Sequence, residues 1–273
     1  MTDHYCVFGN PVTHSKSPLI HEEFAQQTQQ PIRYTATLAP IDGFASAWRE
    51  FVASGGRGAN VTVPFKGDAY AICDTLSHRA KRAKAVNTLI VGGNGRTYGD
   101  TTDGVGLVRD LAYHRISLQG KRLLVIGAGG AVRSVLEPLL AAQPSEIVVV
   151  NRTAAKATQL AQDFADLGNI VGGAFDTLEG QFDLVINGTS ASLVGDLPPL
   201  PDELFTKGAW AYDMMYGPEP TVFLQWAGPR GAKLLDGLGM LVEQAAESFF
   251  LWRNIHPETA SVRTLLRQSL ELA

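Results

Sequence analysis

The run Arg122-Leu123-Leu124-Val125-Ile126-Gly127-Ala128-Gly129-Gly130-Ala131-Val132 decides the fold. Its apolar start is continuous rather than alternating, the pattern of a strand buried on both faces of a parallel sheet. Glycines then interrupt it, and an Ala/Leu-rich stretch of helical length follows. A glycine turn between such a strand and helix lets the backbone bend tightly and approach a pyrophosphate. Free N–H groups and the dipole at the helix N-terminus would hold the negative charge. Gly127, Ala128, Gly129, Gly130 and Ala131 are the expected phosphate cradle. Val132 fills the third small position of the strict G-x-G-x-x-G spacing, so the loop alone is a weak dinucleotide signal.

The next strand sharpens it. An NAD site carries a carboxylate about 20 residues on, where it bonds the ribose 2′-hydroxyl. Here Ile147-Val148-Val149-Val150 ends in Asn151-Arg152-Thr153, with Lys156 nearby. Arg152 and Lys156 would attract a 2′-phosphate that a carboxylate would repel, and Thr153 adds a hydroxyl donor. These residues favour NADP over NAD.

Strands and helices alternate on both sides of this unit. Downstream, Ala154 to Phe164 reads as a helix, Phe182 to Asn187, Ala209 to Met214 and Lys233 to Leu235 as strands, and Gly239 to Arg253 and Glu258 to Leu272 as closing helices. Pro138 is expected to kink or shorten the helix after the glycine loop. Upstream, Tyr5 to Phe8, Ile32 to Leu38 and Ala59 to Val63 read as strands, with Phe44, Trp48, Phe51 and Val52 at helical spacing between the last two. Ser17-Pro18 reads as an N-cap with proline at the first helical position. Val86 to Val91, Gly92-Gly93-Asn94-Gly95 and Arg96 to Gly99 form a hairpin pattern. Gly104 to Tyr113 is a linking helix. The alternation predicts an α/β protein with parallel sheet covered on both faces.

Composition narrows the function classes. The 273 residues carry 45% hydrophobic and 18% charged residues, which excludes a disordered chain. Lys and Arg total 23 against 27 Asp and Glu, a net charge of 23 − 27 = −4, with no basic footprint for nucleic acid or a membrane surface. Cys6 and Cys73 stand alone, so neither a disulfide framework nor a thiolate metal site is expected. The N-terminus lacks the basic start and apolar run of a secretory signal, and no long apolar span occurs. A reducing, cytoplasmic setting is the expectation.

Ser15, Ser17, Asn60, Thr62, Lys66, Asn87 and Asp103 sit in otherwise apolar or Gly/Pro-bounded segments of the first half. Lys66 follows Pro64-Phe65 at the end of a strand, where surface solvation is its ordinary reading. Taken singly, Asp103 could cap the linking helix.

With these residues in view, the chain resembles the shikimate dehydrogenases, the NADP-dependent branch of the shikimate/quinate dehydrogenase family. The resemblance rests on Gly9-Asn10-Pro11, His14-Ser15-Lys16-Ser17-Pro18, Gly58-Ala59-Asn60-Val61-Thr62-Val63-Pro64-Phe65-Lys66 and Ala85-Val86-Asn87-Thr88-Leu89. It extends to Thr102-Asp103-Gly104, the glycine loop, Asn151-Arg152-Thr153 and Asp236-Gly237-Leu238-Gly239-Met240. It implies reversible reduction of 3-dehydroshikimate to shikimate by NADPH, with Lys66 and Asp103 transferring the proton. It implies that Ser15 and Ser17 hold the substrate carboxylate, and that Asn60, Thr62, Asn87 and Asp103 bond ring hydroxyls. Tyr216 and Gln244 match two further substrate contacts. Gly127, Gly129, Gly130 and Ala131 match the pyrophosphate site, Asn151, Arg152, Thr153 and Lys156 the adenosine phosphate end, and Met214 and Gly237 the nicotinamide. The implied organisation is a substrate domain over residues 1–103, a Rossmann-like NADP domain over 104–238, and helices over 239–273 packing back on the first domain, with a cleft between the domains. Three positions depart from the family pattern: Thr101 stands where Asn is common, Ser192 where Gly is usual, and Lys156 where Arg is frequent.

Overall fold

A computed structural model of the chain describes residues 2–191 and 195–272. Two compact units emerge: Met1–Gly106 with Val242–Leu266, and Leu107–Leu241 with Arg267–Ala273.

The first unit begins with β1 (Asp3–Gly9), α1 (Ser17–Thr28), β2 (Ile32–Leu38), α2 (Phe44–Ala53), β3 (Gly56–Val61), α3 (Lys66–Ile72), β4 (Thr75–Leu76), α4 (His78–Ala83), β5 (Thr88–Val91), β6 (Thr97–Asp100) and the start of α5 (Asp103–Tyr113). Its sheet has the order β2-β1-β3-β5-β6-β4. β2, β1 and β3 are mutually parallel, but β5 is antiparallel to both β3 and β6. The hairpin read from the sequence is the antiparallel pair β5–β6, which makes this sheet mixed. Gly95, at φ +78°, turns the chain straight back, and a tight turn can only join antiparallel neighbours. Three short elements, α3, β4 and α4, were too brief to announce themselves by periodicity.

Aromatic rings fill the core beside this sheet. Phe8 meets Phe44 edge-on at 5.6 Å, and Phe44 stacks on Phe65 at 5.2 Å. Phe65 is completely buried and immediately precedes Lys66, so burying one ring (about 1.5–3 kcal/mol) pins the start of α3.

The second unit contains β7 (Arg122–Ile126), α6 (Gly130–Ala141), β8 (Glu146–Val150), α7 (Ala154–Phe164), β9 (Ile170–Gly173), β10 (Phe182–Asn187), β11 (Phe205–Asp213), α8 (Val222–Ala227) and β12 (Lys233–Asp236). Its sheet runs β12-β11-β10-β7-β8-β9, every pair parallel. That is the doubly wound order, in which direction reverses between β7 and β10 and ligands collect outside the strand ends. Strand alternation splits β7 between two cores: Leu123 and Val125 pack under α6 and α7, Leu124 and Ile126 with Phe182, Phe205 and Phe223. A sheet covered on both faces is what the unbroken apolar run required.

Helix α6 runs to Ala141 with Pro138 inside it, three residues before its end. One local reading is corrected. Ser17 is not the cap of α1: Lys16 occupies that position, and Ser17 is the first helical residue, its N–H donating to the Ser15 hydroxyl at 3.3 Å. The chain closes with α9 (Leu238–Arg253) and α10 (Ala260–Glu271). No helix among the described residues is long and apolar enough to cross a membrane.

Candidate active site

In the first unit, Lys66 opens α3 and Asp103 opens α5. The Lys66 ammonium donates to Asp103 Oδ2 at 2.6 Å. The Lys66 side chain is 27% exposed and that of Asp103 10%, so the pair is sheltered yet reachable at the lysine end. The other carboxylate oxygen, Oδ1, accepts from Asn87 Nδ2 at 2.9 Å. With a donor on each oxygen, Asp103 is fixed in plane and aims Lys66.

Asn87 is itself fixed. Its Oδ1 accepts from the Thr102 N–H and the Thr88 hydroxyl, both at 2.9 Å, and its Nδ2 also lies 3.2 Å from Gln244 Oε1. Behind it, the Ser248 hydroxyl lies 2.8 Å from Thr88 Oγ1 and 3.2 Å from Thr102 Oγ1. Asn60 donates to the Asn87 carbonyl at 3.1 Å and to Ser248 Oγ at 3.0 Å, while its Oδ1 accepts from the Tyr34 hydroxyl at 2.8 Å. The His21 ring lies 3.1 Å from the same oxygen. Since the Asn60 nitrogen faces a carbonyl, its oxygen faces His21, and His21 Nε2 must carry the proton there. Burial pushes the His21 imidazole down to about 3, so this ring is neutral in ordinary buffers. Asn60, Asn87, Thr88, Thr102, Asp103 and Ser248 are all buried, and a polar cluster in that position is stable only when its groups find partners.

Ser15, half-buried, and Ser17, buried, follow β1; Thr62, half-buried, follows β3, its N–H donating to the Phe8 carbonyl at 2.9 Å. These residues therefore share the C-terminal edge of neighbouring parallel strands. The structure interlocks Lys66, Asn87, Asp103, Gln244 and Asn60 in one hydrogen-bonded cluster. Tyr216, half-buried, belongs to the second unit, where burial and the Asp236 charge raise its phenol above the ordinary range.

The second unit builds its site from backbone. Gly127 ends β7 at φ +112°, a conformation that disfavours any side chain, and a Cβ there would also lie 3.0 Å from Thr189. Beyond their own chain neighbours and helix backbone, Gly129 and Gly130 have nothing within 4 Å of where a Cβ would stand. That space, beside Ala128 at the N-terminus of α6, fits a pyrophosphate. It opens into a cavity of about 360 Å³ also lined by Arg133, Lys156 and Gln159. A second cavity, of about 860 Å³, is lined by Asn151, Arg152, Phe175, Thr189, Ser190 and Pro198, with Asp176 and Asp196 also on its wall. Asn151 Nδ2 donates to the Thr153 carbonyl at 3.0 Å, holding the turn that presents Arg152. Arg152, Thr153 and Lys156 are exposed, and among the described residues neither Arg152 nor Lys156 is engaged in an ion pair. Thr153 occupies the cap position of α7 without its hydroxyl capping the helix, so that oxygen is available to a ligand.

Met214 is buried, its N–H donating to the Asn187 carbonyl at 2.9 Å. A Cβ on Gly237 would stand 2.1 Å from the Met214 carbonyl oxygen, so that close approach requires glycine. Buried Asp213 accepts from Asn187 Nδ2 at 3.1 Å, Thr221 Oγ1 at 2.6 Å and the Met215 N–H at 3.0 Å, and sets the chain around Met214. Ser192 lies outside the described residues.

The sequence reading missed Thr102, Thr88, Ser248, Tyr34, His21 and Asp213 as supports. One signal existed: Ser248 follows Gln244 by four residues on α9 and so shares its helix face. For the others no local pattern could separate a supporting polar residue from an ordinary one.

Three family models match the chain: the shikimate dehydrogenase substrate binding domain over residues 7–89, shikimate/quinate 5-dehydrogenase over 110–194, and the shikimate 5′-dehydrogenase C-terminal domain over 237–267. Among curated proteins, the NADP(+) shikimate dehydrogenase of Chromohalobacter salexigens is 62% identical over 98% of this chain and 99% of its own length. That of Cellvibrio japonicus is 56% identical over 99% of both chains. Among solved structures, an Ael1 enzyme from Pseudomonas putida matches with a TM-score of 0.92 at 44% identity, covering 97% of this chain and 98% of that one. The shikimate 5-dehydrogenase of Thermus thermophilus in complex with NADP(H) and shikimate matches with a TM-score of 0.88 at 33% identity, covering 98% of this chain and all of that one.

Proposed function

The chain belongs to the shikimate dehydrogenase family, and from that premise we propose that it catalyses the reversible NADPH-dependent reduction of 3-dehydroshikimate to shikimate. The observation that carries the chemistry is the sheltered Lys66–Asp103 pair at 2.6 Å, with Asn87 and Gln244 beside it.

The substrate is a small anion bearing hydroxyls. Ser15 and Ser17, at the start of α1, take its carboxylate, aided by the positive end of the helix. Thr62, Asn87, Asp103 and Gln244 take its hydroxyls, with Asn60 and Tyr216 as further contacts. A site built from buried donors and acceptors rejects analogues that leave them unpaired. Gly127 to Ala131 hold the pyrophosphate, Asn151, Arg152, Thr153 and Lys156 the 2′-phosphate end, and Met214 and Gly237 flank the nicotinamide. The cofactor supplies the hydride to the ring ketone. As charge builds on the ketone oxygen, the Lys66 ammonium stabilises it and delivers a proton. In the oxidative direction neutral Lys66 takes the hydroxyl proton, and Asp103 keeps the amine aimed in both directions. Closure of the substrate unit, which takes in Val242–Leu266 as well as the N-terminal residues, against the nucleotide unit, Leu107–Leu241 with Arg267–Ala273, would exclude water from the transfer. The enzyme works in the cytoplasm, as a monomer or homodimer, where Cys6 and Cys73 stay reduced.

The experiment is a matrix of reduced-nicotinamide absorbance, with shikimate or quinate offered against NADP or NAD. Turnover of shikimate with NADP, far above the other three combinations, is the expected result. Cofactor binding without turnover would make the protein a sensor instead, and preference for quinate with NAD would move it to the other branch of the family.

A further inference from the structure

We infer that Arg79 is a positioning residue for the substrate side of this site, a role that rests on the function just proposed. Arg79 sits on α4, a helix to which the sequence assigns no function. Its guanidinium grips Asp100 as a fork, Nε to Oδ1 at 2.7 Å and Nη2 to Oδ2 at 3.0 Å, and the same Nη2 reaches Glu247 Oε1 at 3.0 Å. Asp100 ends β6 three residues before Asp103, and its Oδ1 also accepts from the Ser77 hydroxyl at 2.5 Å and the Thr101 N–H at 2.7 Å. Glu247 lies on α9, three residues after Gln244 and one before Ser248.

One planar cation therefore ties the strand end that delivers Thr102 and Asp103 to the helix that delivers Gln244 and Ser248. The contacts across that same seam are Gln244 Oε1 to Asn87 Nδ2 at 3.2 Å and Ser248 Oγ to Thr102 Oγ1 at 3.2 Å, both near the long limit for a hydrogen bond. A shift of a few tenths of an ångström breaks them, and Asn87 is the group that holds Asp103. The two carboxylate side chains are 4% and 9% exposed, so without the cation between them they repel in a sheltered place and the seam opens. Lysine would keep the charge but not the two-pronged grip.

The test measures KM for shikimate and NADP, kcat and thermal midpoint in three variants: Arg79→Met, Arg79→Lys, and Arg79→Met combined with Asp100→Asn and Glu247→Gln. Arg79→Met should melt earlier and raise the shikimate KM about tenfold or more, with the NADP KM moving less than about twofold. The triple variant, with its repulsion removed, should regain the melting temperature but keep the raised shikimate KM. Arg79→Lys should also keep it. Recovery of the wild-type KM in either the triple or the lysine variant would mean that Arg79 only neutralises charge, and overturns the role. Where Arg79→Met fails to fold, those two variants decide. A wild-type chain inactive on shikimate removes the functional proposal itself, whereas an active wild type with normal KM in the variants removes only the role of Arg79.

Discussion

In the first unit the site is made of side chains: Asn60, Asn87, Thr88, Thr102, Asp103 and Ser248 are buried together and hydrogen-bonded. In the second unit it is made of backbone and surface: open glycines at the head of α6, Arg152 exposed at a large cavity, and Thr153 and Lys156 exposed nearby. The difference follows from the ligands. Distinguishing hydroxyls on a small ring needs donors and acceptors at fixed positions, which only a supported cluster provides. Holding phosphates needs N–H groups and positive charge, which a helix start and a few flexible cations supply. Damage in the first unit should therefore reach the chemistry, while damage in the second should change which cofactor is bound and leave the rest standing.

The sharpest way to break that contrast is Lys66→Ala. Loss of the proton-transfer group should lower kcat about 10³-fold with little change in either KM, within the usual range for general acid–base catalysis. A near-normal kcat in steady-state assays would take Lys66 out of the reaction. Next in size is Arg152→Ala. Losing a charge-assisted hydrogen bond to phosphate should raise the NADP KM about tenfold to a hundredfold and leave NAD almost untouched. Equal effects on both cofactors would show that Arg152 never meets the extra phosphate.

A smaller effect probes the buried cluster through pH. His21 titrates at 6.5 when unfolded and about 3 when folded, so the unfolded chain gains a proton first as the pH falls. Stability is thus intact well above pH 6.5 and declines on acidification until about pH 3, by roughly 1 kcal/mol already at pH 5.5. Urea midpoints across that window should show the slope, and His21→Gln should reduce it by one proton; an unchanged slope in the variant would place the acid sensitivity elsewhere. The smallest expected effect is at Thr101, whose hydroxyl is buried without a hydrogen-bond partner among the described residues. Thr101→Val should leave stability unchanged or raise it by less than about 1 kcal/mol. A clear loss would mean that the hydroxyl is being used.

The two regions were not equally readable. The second unit lay almost open in the sequence, because its signals are local: an unbroken apolar strand, glycines, a helix, then Asn151-Arg152-Thr153 one strand later. The first unit was harder. Lys66, Asn87 and Asp103 stood out as polar residues in apolar surroundings and were tied to chemistry by the resemblance of their motifs, but their neighbours did not stand out. Ser248 is 160 residues from Thr88 and 188 from Asn60 along the chain, and no periodicity links such partners. The short strand β4 and the short helices α3 and α4 were hidden for a related reason: tertiary packing overrides local preference where an element is short or well supported.

By itself the chain determined the strand–glycine–helix unit, the α/β class and the cationic residues that favour a 2′-phosphate. All of these depend on residues adjacent in sequence or on residue chemistry that no fold can alter. Only the tertiary structure decided that Asp103 takes a donor on each oxygen, that a neutral His21 and Tyr34 brace Asn60, and that Arg79 spans β6 and α9. Hydrogen bonds depend on separations of a few tenths of an ångström between groups distant along the chain, and those separations exist only after the sheet and helices have packed.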